Sequence, residues 1–242
     1  MKKHYLFWIL PILFAFECDP QIDFEENTRL LVKGRLVDGE GRPLSGYPVA
    51  VYASTQFTGF DGSFFGFDND VVLGAAETDT NGDFRVTALS PVNASVVYTL
   101  INFESLDPFD PSLTPLVLNF LRQLPSESNT FDLQQVQLET LRPFNVELQR
   151  TVNLTDTLTY SLTYRSTIKE INFGPEEFGS NFPDQFAGGQ LTPAADSAIE
   201  PLTVQVGDTV FLDYSLRNVV ETGQGQIEII IDATTPNFVY EF

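Results

Sequence analysis

One cysteine and one histidine are all that this 242-residue chain holds of the residues most used for redox chemistry, zinc binding and general-base catalysis. Cations are scarce as well, with 13 Lys and Arg against 33 Asp and Glu. Each scarcity excludes something. A lone Cys, Cys18, cannot close an internal disulfide, so stability has to come from packed cores and sheet hydrogen bonds. Ser and Cys nucleophiles usually need a histidine base, and the only histidine is His4, at the extreme start of the chain. The donor set for zinc is missing, and no metal or cofactor is expected. A formal net charge of −20 repels phosphate backbones and excludes nucleic acid as a partner. The main apolar run, YLFWILPILFAF at residues 5–16, falls short of the ~20 residues that a spanning helix needs.

What is present begins with that run. Lys2 and Lys3 precede it and Cys18 follows it, the order of a secretory signal peptide covering residues 1–17. The lone Cys at that position resembles a bacterial lipoprotein signal. The resemblance implies cleavage before Cys18, lipidation of its thiol and attachment to the outer membrane at the cell surface. Acyl chains on one residue suffice for stable anchoring when there are several of them. Residues 18–28 carry Asp19, Asp23, Glu25 and Glu26 and read as an acidic linker, which also resembles the export signal of surface lipoproteins.

From Arg29 onward the pattern is that of strands. Residues 30–37 (LLVKGRLV), 47–53 (YPVAVYA), 71–78, 84–89 (FRVTAL) and 95–101 are aliphatic or alternating, and Gly- and Pro-rich turns separate them. Asp79-Thr80-Asn81-Gly82-Asp83 reads as a tight hairpin turn, with a calcium loop as the competing reading of its three spaced oxygen ligands. Gly34, Val37, Asp38, Gly41, Pro43, Leu44, Gly46, Val49 and Val51, followed by Thr78, Asp79, Asn81, Gly82 and Phe84, resemble the carboxypeptidase regulatory-like domain. That resemblance implies a seven-stranded, transthyretin-like Greek-key β-sandwich and says almost nothing of function. The sandwich is expected over residues 29–141.

Residues 54–70 interrupt the strands with Phe57, Phe60, Phe64, Phe65 and Phe67 set among Gly, Asp and Ser. Such a loop either presents rings to a ligand or folds them over the sandwich edge. Asp61, Asp68 and Asp70 form a second, weaker calcium candidate. Residues 112–124 read as one short helix, with Thr114 as N-cap, Pro115 at the first position and Val117, Phe120, Leu121 and Leu124 on one face.

The second half, residues 142–242, reads as a second small β-sandwich. Strands are expected at 157–168, 202–206, 209–217 and 226–233, with a long Gly- and Pro-rich loop over 173–198. Nothing picks two carboxylates out of the many for a glycosidase mechanism, which leaves such an enzyme as the least favoured reading. The expectation is a lipid-anchored, non-enzymatic surface protein. It acts as a binding module for a protein or glycan partner, or alternatively as a structural subunit of a cell-surface or transport complex.

Overall fold

The computed structural model describes residues 22–55, 70–94, 96–121, 129–151, 155–173, 178–181, 184–217 and 222–242. They form strands β1 (Phe24–Asp38), β2 (Pro48–Ser54), β3 (Val71–Glu77), β4 (Asp83–Pro91), β5 (Val96–Ile101), β6 (Leu116–Leu121), β7 (Thr130–Leu138) and β8 (Leu141–Gln149). The remainder are β9 (Thr157–Arg165), β10 (Lys169–Phe173), β11 (Phe178–Asn181), β12 (Asp184–Leu191), β13 (Ser197–Gln205), β14 (Thr209–Arg217), β15 (Thr222–Ile230) and β16 (Asn237–Glu241).

The first seven strands divide between two sheets, a three-stranded one in the order β4-β1-β7 and a larger one containing β6-β5-β2-β3. Alternation explains the layering. Leu30, Val32 and Leu36 of β1 point inward and are fully buried, as are Val49 and Val51 of β2 and Leu116 and Leu118 of β6. These side chains form the first core, which ends in sequence at Leu138. A second core begins at Phe144. It fills the space between a four-stranded sheet, β12-β9-β14-β15, and a three-stranded one, β13-β8-β16. The chain is therefore all-β, with two sandwiches in succession.

Two turns of identical construction set the first sandwich. Asp38 and Asp79 each begin a five-residue turn, DGEGR and DTNGD. In each, the Asp N–H donates to the carbonyl four residues on, and the Gly N–H three residues on donates to the Asp carbonyl. In each, the Asp Oδ1 accepts the N–H groups two and four residues ahead, at 2.8–3.0 Å. Gly41 and Gly82 occupy equivalent positions with φ of 80° and 78°, a conformation that costs glycine little and other residues much. A third anchor is Asn102, fully buried, whose amide donates to the carbonyls of Asp110 and Leu113 while its Oδ1 accepts from the Asp110 N–H. It clasps the long connection between β5 and β6.

Four expectations are corrected. Residues 116–121 are strand β6, not helix. β6 lies inside the six-stranded sheet, with Leu116, Leu118 and Phe120 in the first core and Val117 in a separate cluster on the sheet's other face. A strand buried on both faces is apolar throughout, and its apolar residues satisfy a helical spacing by coincidence. The acidic linker is shorter than residues 18–28, because Ile22 is buried in the first core and β1 starts at Phe24. The region 173–198 is not one loop but contains β11 and β12. Gly188 and Gly189 weaken the strand signal of β12 because they fit against Tyr160 of β9, where a Cβ on Gly188 would fall 2.5 Å from the Tyr160 carbonyl oxygen. Lastly, the two halves are not separate in the sheet ladder.

After β9 the chain leaves the second sandwich, and β10 pairs in parallel with β6 of the first, Ile171 lying beside Leu118. β11 pairs antiparallel outside it, which completes the order β11-β10-β6-β5-β2-β3. The chain then returns to the second sandwich as β12. Ile171 packs on the first core, and the Lys169 ammonium donates to the Gln137 carbonyl at 3.1 Å and sits 3.8 Å from Glu139. One segment of the second half thus serves as sheet for the first.

Beside Ile171, Glu170 is 8% exposed and holds no ion pair or hydrogen bond among the described residues. Burial pushes its carboxyl above the usual carboxylate range. A folded-state pKa above the unfolded one means that the folded chain binds this proton more tightly. The stability so gained is complete below the unfolded value and is lost as pH rises through the folded one. Glu170→Gln is therefore expected to raise the denaturation midpoint at neutral pH and to leave it nearly unchanged near pH 4. Urea titrations at both pH values test this; an equal effect at both removes the ionisation argument.

Candidate functional site

The three-stranded sheet β4-β1-β7 has one face on the core and the other in solvent. Alternation places Arg29, Lys33 and Arg35 of β1 on the solvent face. Register brings β4 alongside, with Arg85 opposite Lys33 and Asp83 opposite Arg35, and β7 on the other flank, with Asp132 opposite Lys33. An open groove of about 440 Å³ runs over these residues and is lined as well by Gly34, Phe84 and Gln134. Asp79 and Asp83, which bound the hairpin turn, belong to its lining.

Its electrostatics are mixed. The Lys33 ammonium pairs with Asp132 at 2.8 Å. Hydrogen bonds from Lys33 and from the Gln134 N–H hold the Asp132 carboxyl below the usual carboxylate range. Asp79 is occupied by its own turn, accepting from Asn81 and Asp83. Arg35 and Arg85 have no ion-pair partner among the described residues, although acids outnumber cations in the chain by 33 to 13. Lys33 and Arg85 face each other directly, an arrangement of like charges that disfavours a sheet. Asp83 makes no side-chain hydrogen bond or ion pair among the described residues.

The sequence-derived candidates distribute as follows. Cys18 and the five phenylalanines Phe57, Phe60, Phe64, Phe65 and Phe67 lie outside the described residues, as do Asp61 and Asp68. Asp70 is described, and its carboxylate accepts the Tyr98 hydroxyl at 2.5 Å over a Tyr52–Tyr98 stack with centroids 5.4 Å apart. Burial, with Asp70 second, drives the Tyr98 hydroxyl far above its ordinary pKa. Asp79, Asn81 and Asp83 form the hairpin turn described above, and no group of three or more metal-donor side chains gathers among the described residues. Sequence reading missed the groove. The available signal was the spacing of Arg29, Lys33 and Arg35, which alternation puts on one face of a chain poor in cations.

No family model matches the chain, and no curated protein matches it. Among solved structures it is similar to the shaft pilin SpaA of Lactobacillus rhamnosus GG, at 12% identity and a TM-score of 0.32, covering 88% of this chain and 98% of that one. It is similar to the Bacillus anthracis TIE protein at 11% identity and a TM-score of 0.31, covering 89% of this chain and 34% of that one. A 9R-lipoxygenase from Cyanothece PCC8801 aligns over 48% of this chain and 18% of its own length, with 15% identity and a TM-score of 0.29. The chain thus spans about a third or less of the latter two proteins. Likenesses this distant carry no argument about function.

Proposed function

We propose that this chain is a non-enzymatic, lipid-anchored protein of the outer membrane's surface, serving as a binding module. The observation that carries this reading is the use made of its acids. Asp38, Asp110 and Asp232 each accept hydrogen bonds from backbone N–H groups of their own turns, and each carboxyl lies below the usual carboxylate range. At Asp38, burial opposes ionisation, but hydrogen bonds from Arg42 and the backbone outweigh it and keep the carboxyl below the usual range. Carboxylates held ionised in turns build loops; they do not serve as proton donors near neutral pH. The strand exchange favours the alternative role as a spacer within a larger surface complex, since a segment of the second half completes a sheet of the first sandwich.

The anchor is tested at Cys18. Cys18→Ala is expected to abolish incorporation of labelled fatty acid and to move the protein out of the outer-membrane fraction. A variant of mature length that still sediments with outer membranes overturns the lipoprotein assignment. Surface exposure is checked by protease treatment of intact cells.

A further inference from the structure

We propose that the groove on the solvent face of β4-β1-β7 binds an acidic oligosaccharide, with a uronate carboxylate seated between Arg35 and Arg85. This inference rests on the binding-module reading and names its ligand class. Arg35 and Arg85 are diagonal neighbours across β1 and β4. Such positions lie about 7–8 Å apart, a span that two guanidinium groups close around one carboxylate. Both Arg lack an ion-pair partner among the described residues, in a chain where acids are abundant. Lys33 stands directly opposite Arg85, but its ammonium is taken up by Asp132, which leaves Arg35 and Arg85 as the cations of this face open to a bound anion. A volume of about 440 Å³ suits one or two sugar rings.

The mixed lining selects among anions. Among the described residues Asp83 presents a carboxylate without a partner, and Gln134 lines the groove with an amide, both suited to hydroxyl groups. A ligand with a contiguous run of charge, such as an acidic peptide, would set its other carboxylates against Asp79, Asp83 and Asp132. It would also meet the repulsion of a protein with net charge −20. A saccharide that spaces fewer carboxylates among hydroxyls avoids the first penalty and meets less of the second. Planar, bidentate recognition further favours carboxylate over a point-charge contact, because the free cations here are Arg and not Lys.

The experiment uses the detergent-solubilised full-length chain in calorimetric titration with three probes: trigalacturonate, its methyl ester and a hexaglutamate peptide. Trigalacturonate is expected to bind, the ester and the peptide to bind at least about tenfold more weakly, and R35Q or R85Q each to weaken trigalacturonate by about tenfold or more. Both substitutions are on the surface and should leave the melting temperature unchanged, and R142Q, elsewhere on the chain, should leave binding intact. Tighter binding of hexaglutamate, or trigalacturonate binding indifferent to R35Q and R85Q, overturns the site. If trigalacturonate fails but the immobilised chain retains a neutral glycan or a protein regardless of R35Q and R85Q, the site is wrong and the binding module stands. If the chain retains nothing from either class, both fall.

Discussion

Gly82→Val is expected to destabilise the first sandwich by at least about 3 kcal/mol, whereas the same change at Gly41 should cost about half as much. The two glycines have nearly the same φ, 78° and 80°, in turns built alike. A β-branched residue is strained in that region at either site. Their surroundings differ. A Cβ on Gly41 would meet nothing within 4 Å, whereas one on Gly82 would lie 2.3 Å from the Leu36 carbonyl oxygen. That oxygen has little freedom to retreat. It accepts the Leu44 N–H at 3.0 Å, and the Leu36 N–H donates to the Gly82 carbonyl at 2.7 Å. Gly82 therefore sits where the two turns and the end of β1 are hydrogen-bonded together, and Gly41 sits at a free tip. Chemical denaturation of both variants measures the difference. Equal losses would show that backbone strain alone matters and that the contact with Leu36 carries no weight.

Ile171→Pro should have an effect of similar size but different character. β10 is flanked by β6 on one side and β11 on the other, so proline removes a ladder donor in an interior strand, where it is poorly tolerated. The substitution also withdraws Ile171 from the first core. A loss on the order of 3–5 kcal/mol is expected, concentrated in the first sandwich. The second core, including Leu148, Leu158, Leu162 and Leu212, has no part in that ladder and should keep its protection. Hydrogen exchange read peptide by peptide distinguishes the cases. Faster exchange at β5, β6 and β10 with unchanged exchange at β9 and β14 is the expected pattern; uniform loss in both halves would mean that the cores unfold as one unit.

Much of this architecture is legible in the sequence, and the exceptions share a cause. Strands with one wet face, such as β1, β9 and β14, announce themselves by alternation. The two DxxG turns are visible because Asp and Gly are the residues such turns require. β6 misleads because both of its faces are buried, and β12 because Gly188 and Gly189 stand where Tyr160 of β9 takes the place of their side chains. No local pattern states that β10 pairs with β6, since the pairing joins segments far apart in the chain. The groove was hidden differently. Each of its cations is unremarkable alone, and only the register of β1 with β4 brings Arg35 near Arg85. Cys18, by contrast, needs no tertiary information: its position after an apolar run is a property of the sequence itself.

The borrowing of β10 and β11 by the first sandwich also imposes an order of events during synthesis. When residues up to Leu138 have been made, β6 already has β5 on one side, but its other edge is bare. That edge belongs to an apolar segment, Leu116–Leu121, and stays open until β8 and β9 have followed and Lys169–Phe173 arrives. An unpaired apolar edge is a template for intermolecular pairing. The interval between β7 and β10 is thus when the nascent chain most needs a chaperone or a dilute surrounding. The strand that joins the two halves in the finished molecule is also the one whose arrival ends that exposure.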